Sequence, residues 1–128
     1  MTPAITLYFV AGFALMHVVI TMLVGAARVP NQIHFYDDGD LDLRRNMRAH
    51  ANFTENAPIA LIAMAAAEIS GTDQMWILTG GLVLCVGRLM HYHIIRTKGW
   101  GPTRALSMLL TLIPVAAFAG LTVWNQAQ

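Results

Sequence analysis

Apolar residues run almost unbroken over about residues 4 to 27, 57 to 70, 75 to 95 and 105 to 124, and polar stretches separate the runs. The first, third and fourth reach the roughly 17 to 25 residues that cross a bilayer as a helix. The second does so only when extended backwards through RRNMRAHANFTEN, residues 44 to 56, where polar positions recur three and four apart. The pattern therefore predicts four helices, over about 3–28, 43–70, 74–97 and 103–125, in one domain covering residues 1–128. The expected fold class is all-α, an integral membrane four-helix bundle with four spans. PNQIHFYDDGDLDL, residues 30 to 43, reads as a loop, with Asp40 or Asp42 capping the second helix. SGTDQ and KGWGP read as the tight turns before the third and fourth helices, and Pro58 and Pro114 lie inside helical patterns that neighbouring helices must re-satisfy.

Composition strengthens the membrane assignment. The 128 residues are 56% hydrophobic and 12% charged, with a mean hydropathy of +0.54, outside the usual range of soluble domains. The first apolar run lacks a preceding Lys or Arg and is too long for a removable leader, so it is expected to remain as the first helix. The lone Cys85 falls in an apolar run, which excludes an intrachain disulfide framework and leaves a packing thiol.

The net charge of +1 is small, but its distribution is informative. Arg28, Arg44, Arg45 and Arg48 flank the first connection, Arg96, Lys98 and Arg104 flank the third, and Arg88 lies two turns before Arg96. Alternating spans put every cation towards one face, which the positive-inside rule makes cytoplasmic, with both termini opposite. The basic residues frame spans and give no indication of nucleic acid.

The candidate chemistry lies in the second and third helices. Arg45, Arg48, Asn52, Glu55 and Asn56 fall near one helical face, with Arg48 and Glu55 roughly 10 Å apart along the axis. A cation and an anion at that separation suit the two ends of an extended tripeptide. Arg88, His91 and Tyr92 share a face of the third helix, and Glu55 and Arg88 are expected to meet, because a solitary intramembrane ion is costly. A simple ion-pair staple between helices would explain those two alone, but not the added Asn52, Asn56, His91 and Arg104.

No metal site is expected. Asp38, Asp40 and Asp42 have calcium-like spacing but lack the following glycine and the closing glutamate of such a loop. His91 and His93 point to different sides of a helix, His17 reads as a packing histidine, and His50 lies off the polar face.

R-A-H-x-N-x-x-E-N-x-P at Arg48 to Pro58, G-R-L-M-H at Gly87 to His91 and K-x-x-x-P-x-R at Lys98 to Arg104 together resemble the MAPEG family, the membrane-associated proteins in eicosanoid and glutathione metabolism. The likeness covers nearly the whole chain. It implies a homotrimer with glutathione, a cosubstrate, bound between subunits and open to the cytoplasmic side. Arg48, Asn52 and Glu55 would hold the tripeptide, with Glu55 on its γ-glutamyl amino group. Arg28 would reach the ligand from an adjacent subunit, while Asn56, Arg88, His91 and Tyr92 complete the binding set. Arg104 would be catalytic, stabilising the glutathione thiolate. Ile95 stands where family members often have tyrosine, Ala105 where some have serine and Asn56 where another has tyrosine, so eicosanoid specificity is not implied.

The expected function is a glutathione-dependent transferase or peroxidase acting on an apolar, membrane-soluble electrophile. The expected location is a bacterial inner membrane, in contact with lipid. A second reading keeps the fold as a non-catalytic module binding a small anionic thiol or lipid head group. A small multidrug transporter ranks third, because its key carboxylate belongs in a first helix that here has no acid.

Overall fold

The computed structural model describes residues 2–30 and 32–128. They form four helices: α1 (Ala4–Arg28), α2 (Leu41–Ile69), α3 (Gln74–Thr97) and α4 (Pro102–Gln126). Asp40 caps α2, its side chain accepting from the backbone N–H groups of Asp42 and Leu43. Asp73 does the same for α3 through Met75 N–H, and Pro102 opens α4 where its missing N–H costs nothing. In the first connection Arg44 pairs with Asp37, which holds that carboxyl below its ordinary range. Because the shift is a lowering, this loop contact is present above the ordinary carboxylate range and is lost as pH falls through the depressed value.

Three of the four helices, α1, α3 and α4, are long and apolar enough to cross a membrane. The chain is an integral membrane protein of the helical-bundle type. α2, the span whose pattern runs through a polar stretch, is not among these three. It is the longest helix, with 29 residues, but Arg44, Arg45, Arg48 and Glu55 occupy its first half. The bundle compensates by surrounding it: α2 packs against α1, α3 and α4, whereas α1 touches α3 lightly and makes no helix contact with α4. Neighbours in sequence run antiparallel, as short connections require.

Exposed aromatic residues mark both ends of the bundle. Trp100, Phe35 and Tyr36 lie at the basic end, and Tyr8, Trp76 and Trp124 at the other. Trp100 and Trp124 bracket about 22 helical residues, roughly 33 Å of rise, which matches a hydrocarbon core of about 30 Å.

Packing is close where small residues permit it. One cluster joins Phe13 and Ile20 of α1, Phe53, Ala57 and Ala60 of α2, and Leu84 of α3, with Cys85 and Tyr92 against its edge. Met64, Ala67, Ile77 and Phe118 form a second cluster nearer the opposite end. A Cβ on Gly87 would stand 2.9 Å from the Leu110 backbone, so glycine there sets the approach of α3 to α4.

α1 begins without a cap of its own, since Pro3 offers no side-chain acceptor. Glu68, near the far end of α2, supplies one: its two carboxylate oxygens accept from Ile5 N–H and Thr6 N–H, each at 2.8 Å. An acid at a helix N-terminus both satisfies orphan donors and opposes the helix dipole. Glu68→Ala is expected to lower stability by about 1 to 2 kcal/mol, read as a lower unfolding temperature in detergent.

Candidate functional site

The basic end of the bundle contains a cavity of about 310 Å³ between α2, α3 and α4, lined by Asn52, His91, Trp100, Gly101, Arg104, Ala105 and Met108. It forms because the α3–α4 turn is tight. Gly99 (φ +75°) and Gly101 (φ +137°) occupy conformations that side-chain-bearing residues rarely adopt, and they return the chain directly over the end of α3. Arg104, on the first turn of α4, is thereby held beside the opening. Its guanidinium donates to Gly99 C=O at 2.7 Å and lies 5.5 Å from the Trp100 ring centre.

Arg88 forms the inner support of the cavity. It is 2% exposed, donates to Thr111 Oγ1 at 2.7 Å and Asn52 Oδ1 at 3.0 Å, and approaches Met108 Sδ at 3.6 Å. One side chain of α3 thus ties α2 to α4. Among the described residues no carboxylate lies within ion-pair distance of it, so its charge rests on neutral acceptors.

His91 is equally buried. Its Nδ1 stands 2.7 Å from Ser107 Oγ, and Ser107 donates its hydroxyl hydrogen to Arg104 C=O at 2.8 Å. While the Ser107 hydroxyl donates to Arg104 C=O, His91 Nδ1–H is the donor to Ser107 and Nε2 carries the lone pair; in the other tautomer the hydroxyl turns to Nδ1 and the roles reverse. Nε2 is buried and has no hydrogen-bond partner among the described residues. The cavity therefore offers the Arg104 cation and one imidazole nitrogen without a protein partner, with the charge of buried Arg88 behind Asn52, a set suited to a polar anion.

The expected meeting of Glu55 with Arg88 does not occur. Glu55 pairs with Arg48 at 3.5 Å, both about half exposed, while Asn52 takes the place opposite Arg88. The reason is angular. Asn52 points into the bundle, and Glu55, three residues on, is rotated towards its outer face. Arg48 and Glu55 also close on each other, so in this chain alone they do not hold apart the two ends of a tripeptide. The pair is too exposed to be strongly stabilising: Glu55→Gln is expected to change unfolding stability by less than about 1 kcal/mol, measured by thermal unfolding in detergent.

The remaining candidates separate. Asn56 donates to Asn52 C=O at 2.9 Å, beside the cavity. Tyr92 packs on the apolar cluster beneath α1 and α2, away from the cavity lining. Arg28 holds the first connection, donating to Tyr36 C=O at 3.0 Å and Ile33 C=O at 3.4 Å, in a separate hollow of about 390 Å³.

Sequence reasoning missed Ser107 and Thr111, the residues that orient His91 and Arg88, and also Met108 and Trp100. A signal existed for two of them: Arg104, Ser107 and Thr111 are spaced three and four apart and make a polar stripe on an otherwise apolar helix.

Comparison with known proteins places the chain among relatives. Inner membrane protein YecN of Escherichia coli, found in two strains, is 35% identical over 66 residues, 52% of this chain and 50% of the relative. The chain thus spans about half the length of the curated relatives it matches. The MAPEG family profile matches residues 6–124. With four helices, a polar second helix and a basic cavity at one end, the chain belongs to the MAPEG family.

Proposed function

We propose that the protein is a glutathione-dependent transferase or peroxidase, with the cavity at the α3–α4 turn receiving the cosubstrate and Arg104 stabilising its thiolate. The observation that carries this reading is the convergence of Asn52, His91 and Arg104 on one cavity, with buried Arg88 behind it and no carboxylate in the lining. A thiol with an ordinary pKa near 8.5 is mostly protonated at neutral pH. A guanidinium in a poorly hydrated site favours the thiolate, the nucleophilic form. Carbon–sulfur bond formation then consumes the thiolate, and the electrophile's leaving group or added proton balances the charge.

Arg48, Glu55 and Asn56 enter this reading through self-association. A half-exposed ion pair on a helix inside a membrane bundle is poorly matched to lipid. In the proposed homotrimer a neighbouring subunit covers that face, and the neighbour's Arg28 approaches the ligand. Glu55 is then free to exchange Arg48 for the ligand's ammonium group. The proposed placement is an inner membrane with the basic end cytoplasmic, following the asymmetry of charge. The apolar acceptor would enter from the lipid.

The replacement of polar contacts by Ile95 and Ala105 favours one alternative, a binding module without turnover. Purified protein mixed with glutathione and a generic electrophile separates the two. Conjugate formation above the uncatalysed rate is the expected result, whereas heat stabilisation by glutathione with no conjugate identifies the module.

A further inference from the structure

From Gln74 to Gln128 the chain contains no aspartate or glutamate, yet it carries Arg88, Arg96, Lys98 and Arg104. Arg88 and Arg104 have neutral partners in and around the cavity. Arg96, in the last turn of α3, and Lys98, at its C-cap, have no side-chain hydrogen bond or ion pair among the described residues. Neither has Arg45 of α2, and its Nε reaches the same turn, 3.7 Å from where a Gly99 side chain would begin. The carboxylates that do pair at this end, Asp37 and Glu55, are taken by Arg44 and Arg48. Lys98 and Trp100 flank Gly99, so Arg45, Lys98 and an indole that is 81% exposed come together at one turn.

We propose that this turn binds the head group of an anionic phospholipid in the leaflet at the basic end, with Arg45 and Lys98 on the phosphate and Arg96 beside them. These cations have no counterion among the described residues, and a lipid phosphate supplies one. Trp100 sets the level, because exposed indoles rest among head groups and can donate their N–H there. The tendency of cations to collect on one face of a membrane accounts for their presence at this end. It does not account for their meeting, unpaired, at a single turn.

Below the turn the surface suits the rest of a lipid. Leu82, Leu89 and Arg96 are spaced seven apart and share a face of α3, with Val86 and His93 between them. Leu82, Val86 and Leu89 are each more than half exposed, and Leu82, Val83, Val86 and Leu110 line an apolar hollow of about 220 Å³ between α3 and α4. Val86 lies ten residues before Arg96, roughly 15 Å of rise, or half of a hydrocarbon core of about 30 Å. An acyl chain descending from the head group therefore reaches this hollow within its own leaflet. Arg45, Arg96 and Lys98 are outside the lining of the Arg104 cavity, so neither this site nor the glutathione reading depends on the other.

The test uses the full chain with Trp76→Phe and Trp124→Phe, two exposed changes at the opposite end that leave Trp100 as the tryptophan reporter. It is reconstituted into phosphatidylcholine bilayers containing chain-brominated phosphatidylglycerol or, for comparison, chain-brominated phosphatidylcholine, and the quenching of Trp100 is titrated. Quenching should favour phosphatidylglycerol by about tenfold or more, since each cation near a membrane surface contributes about fivefold. Lys98→Gln and Arg45→Gln, checked for folding by circular dichroism, should each cut that preference by about fivefold. Arg44→Gln removes the same charge at the same end, but from a paired residue, and should keep the preference. Equal quenching by the two lipids overturns the proposal, and so does a preference undiminished in Lys98→Gln and Arg45→Gln. An equal loss in Arg44→Gln overturns it too, by reducing the site to diffuse surface charge. Loss of the preference in millimolar inorganic phosphate at constant ionic strength would mark a soluble-anion site and overturn it as well.

Discussion

Arg104→Ala should slow glutathione conjugation at neutral pH by at least about twentyfold while leaving the bundle folded. The magnitude follows from the thiol. At pH 7 a pKa of about 8.5 leaves roughly 3% thiolate, and a depression of about two units raises this to roughly three quarters. Losing the cation returns the bound thiol towards its solution behaviour, and loss of transition-state stabilisation would add to the defect. The pH profile identifies the cause. The unaltered protein's rate should be half-maximal near pH 6.5 and level off above about pH 7.5, whereas the variant's should be half-maximal near pH 8.5 and still be rising there, which narrows the gap. Equal neutral-pH rates, or parallel profiles, would remove the thiolate role from Arg104. The side chain also holds Gly99 C=O, so Arg104→Lys is a useful companion: it keeps the charge and should retain more rate than alanine.

Arg88→Met is expected to separate stability from binding. Arg88 is a buried cation on neutral partners; an apolar side chain of similar length relieves the desolvation of that charge, while Thr111 keeps its bond to Ser107 C=O and Asn52 faces the cavity, where water can replace the lost donor. The unfolding temperature should therefore hold or rise, while glutathione affinity falls by about tenfold, because the cavity loses a positive charge and Asn52 loses the partner that orients it. Asn52→Leu should do the reverse to stability. It leaves Arg88 in place with one acceptor fewer, a loss of about 1.5 to 3 kcal/mol for a hydrogen bond to a charged group. Thermal unfolding in detergent and calorimetric glutathione titration read the two effects independently. If Arg88 only staples three helices, the methionine variant will unfold earlier and the folded fraction will bind glutathione normally.

The helices were legible because membrane spans write their length into runs of apolar residues. α3 is seen at residues 74–97, where the pattern placed it, and α2 starts at Leu41 where about 43 was expected. Asp40 caps α2, as its short acceptor side chain beside a polar loop suggested. The site was legible in part, since Asn52, His91 and Arg104 carry recognisable spacing and do line one cavity. What sequence spacing could not give was rotation between helices. Asn52 and Glu55 are close in register but diverge in angle, and that divergence decides which of them meets Arg88. Glu68 was invisible for a different reason: its partners are backbone N–H groups 62 and 63 residues away, and no residue type at Ile5 or Thr6 advertises the need for a cap. His17 and His50 likewise meet only because α1 and α2 fold antiparallel with a particular register.

In the proposed binding mode a tripeptide thiol occupies the cavity between α2, α3 and α4 with its sulfur beside Arg104. An experimental structure of the detergent-solubilised protein with glutathione bound tests this most directly. The expected map shows the sulfur within hydrogen-bond reach of the Arg104 guanidinium and a ligand donor opposite His91 Nε2. Glutathione bound elsewhere, with the Arg104 guanidinium still turned to Gly99 and Trp100 and no ligand in that cavity, would contradict it.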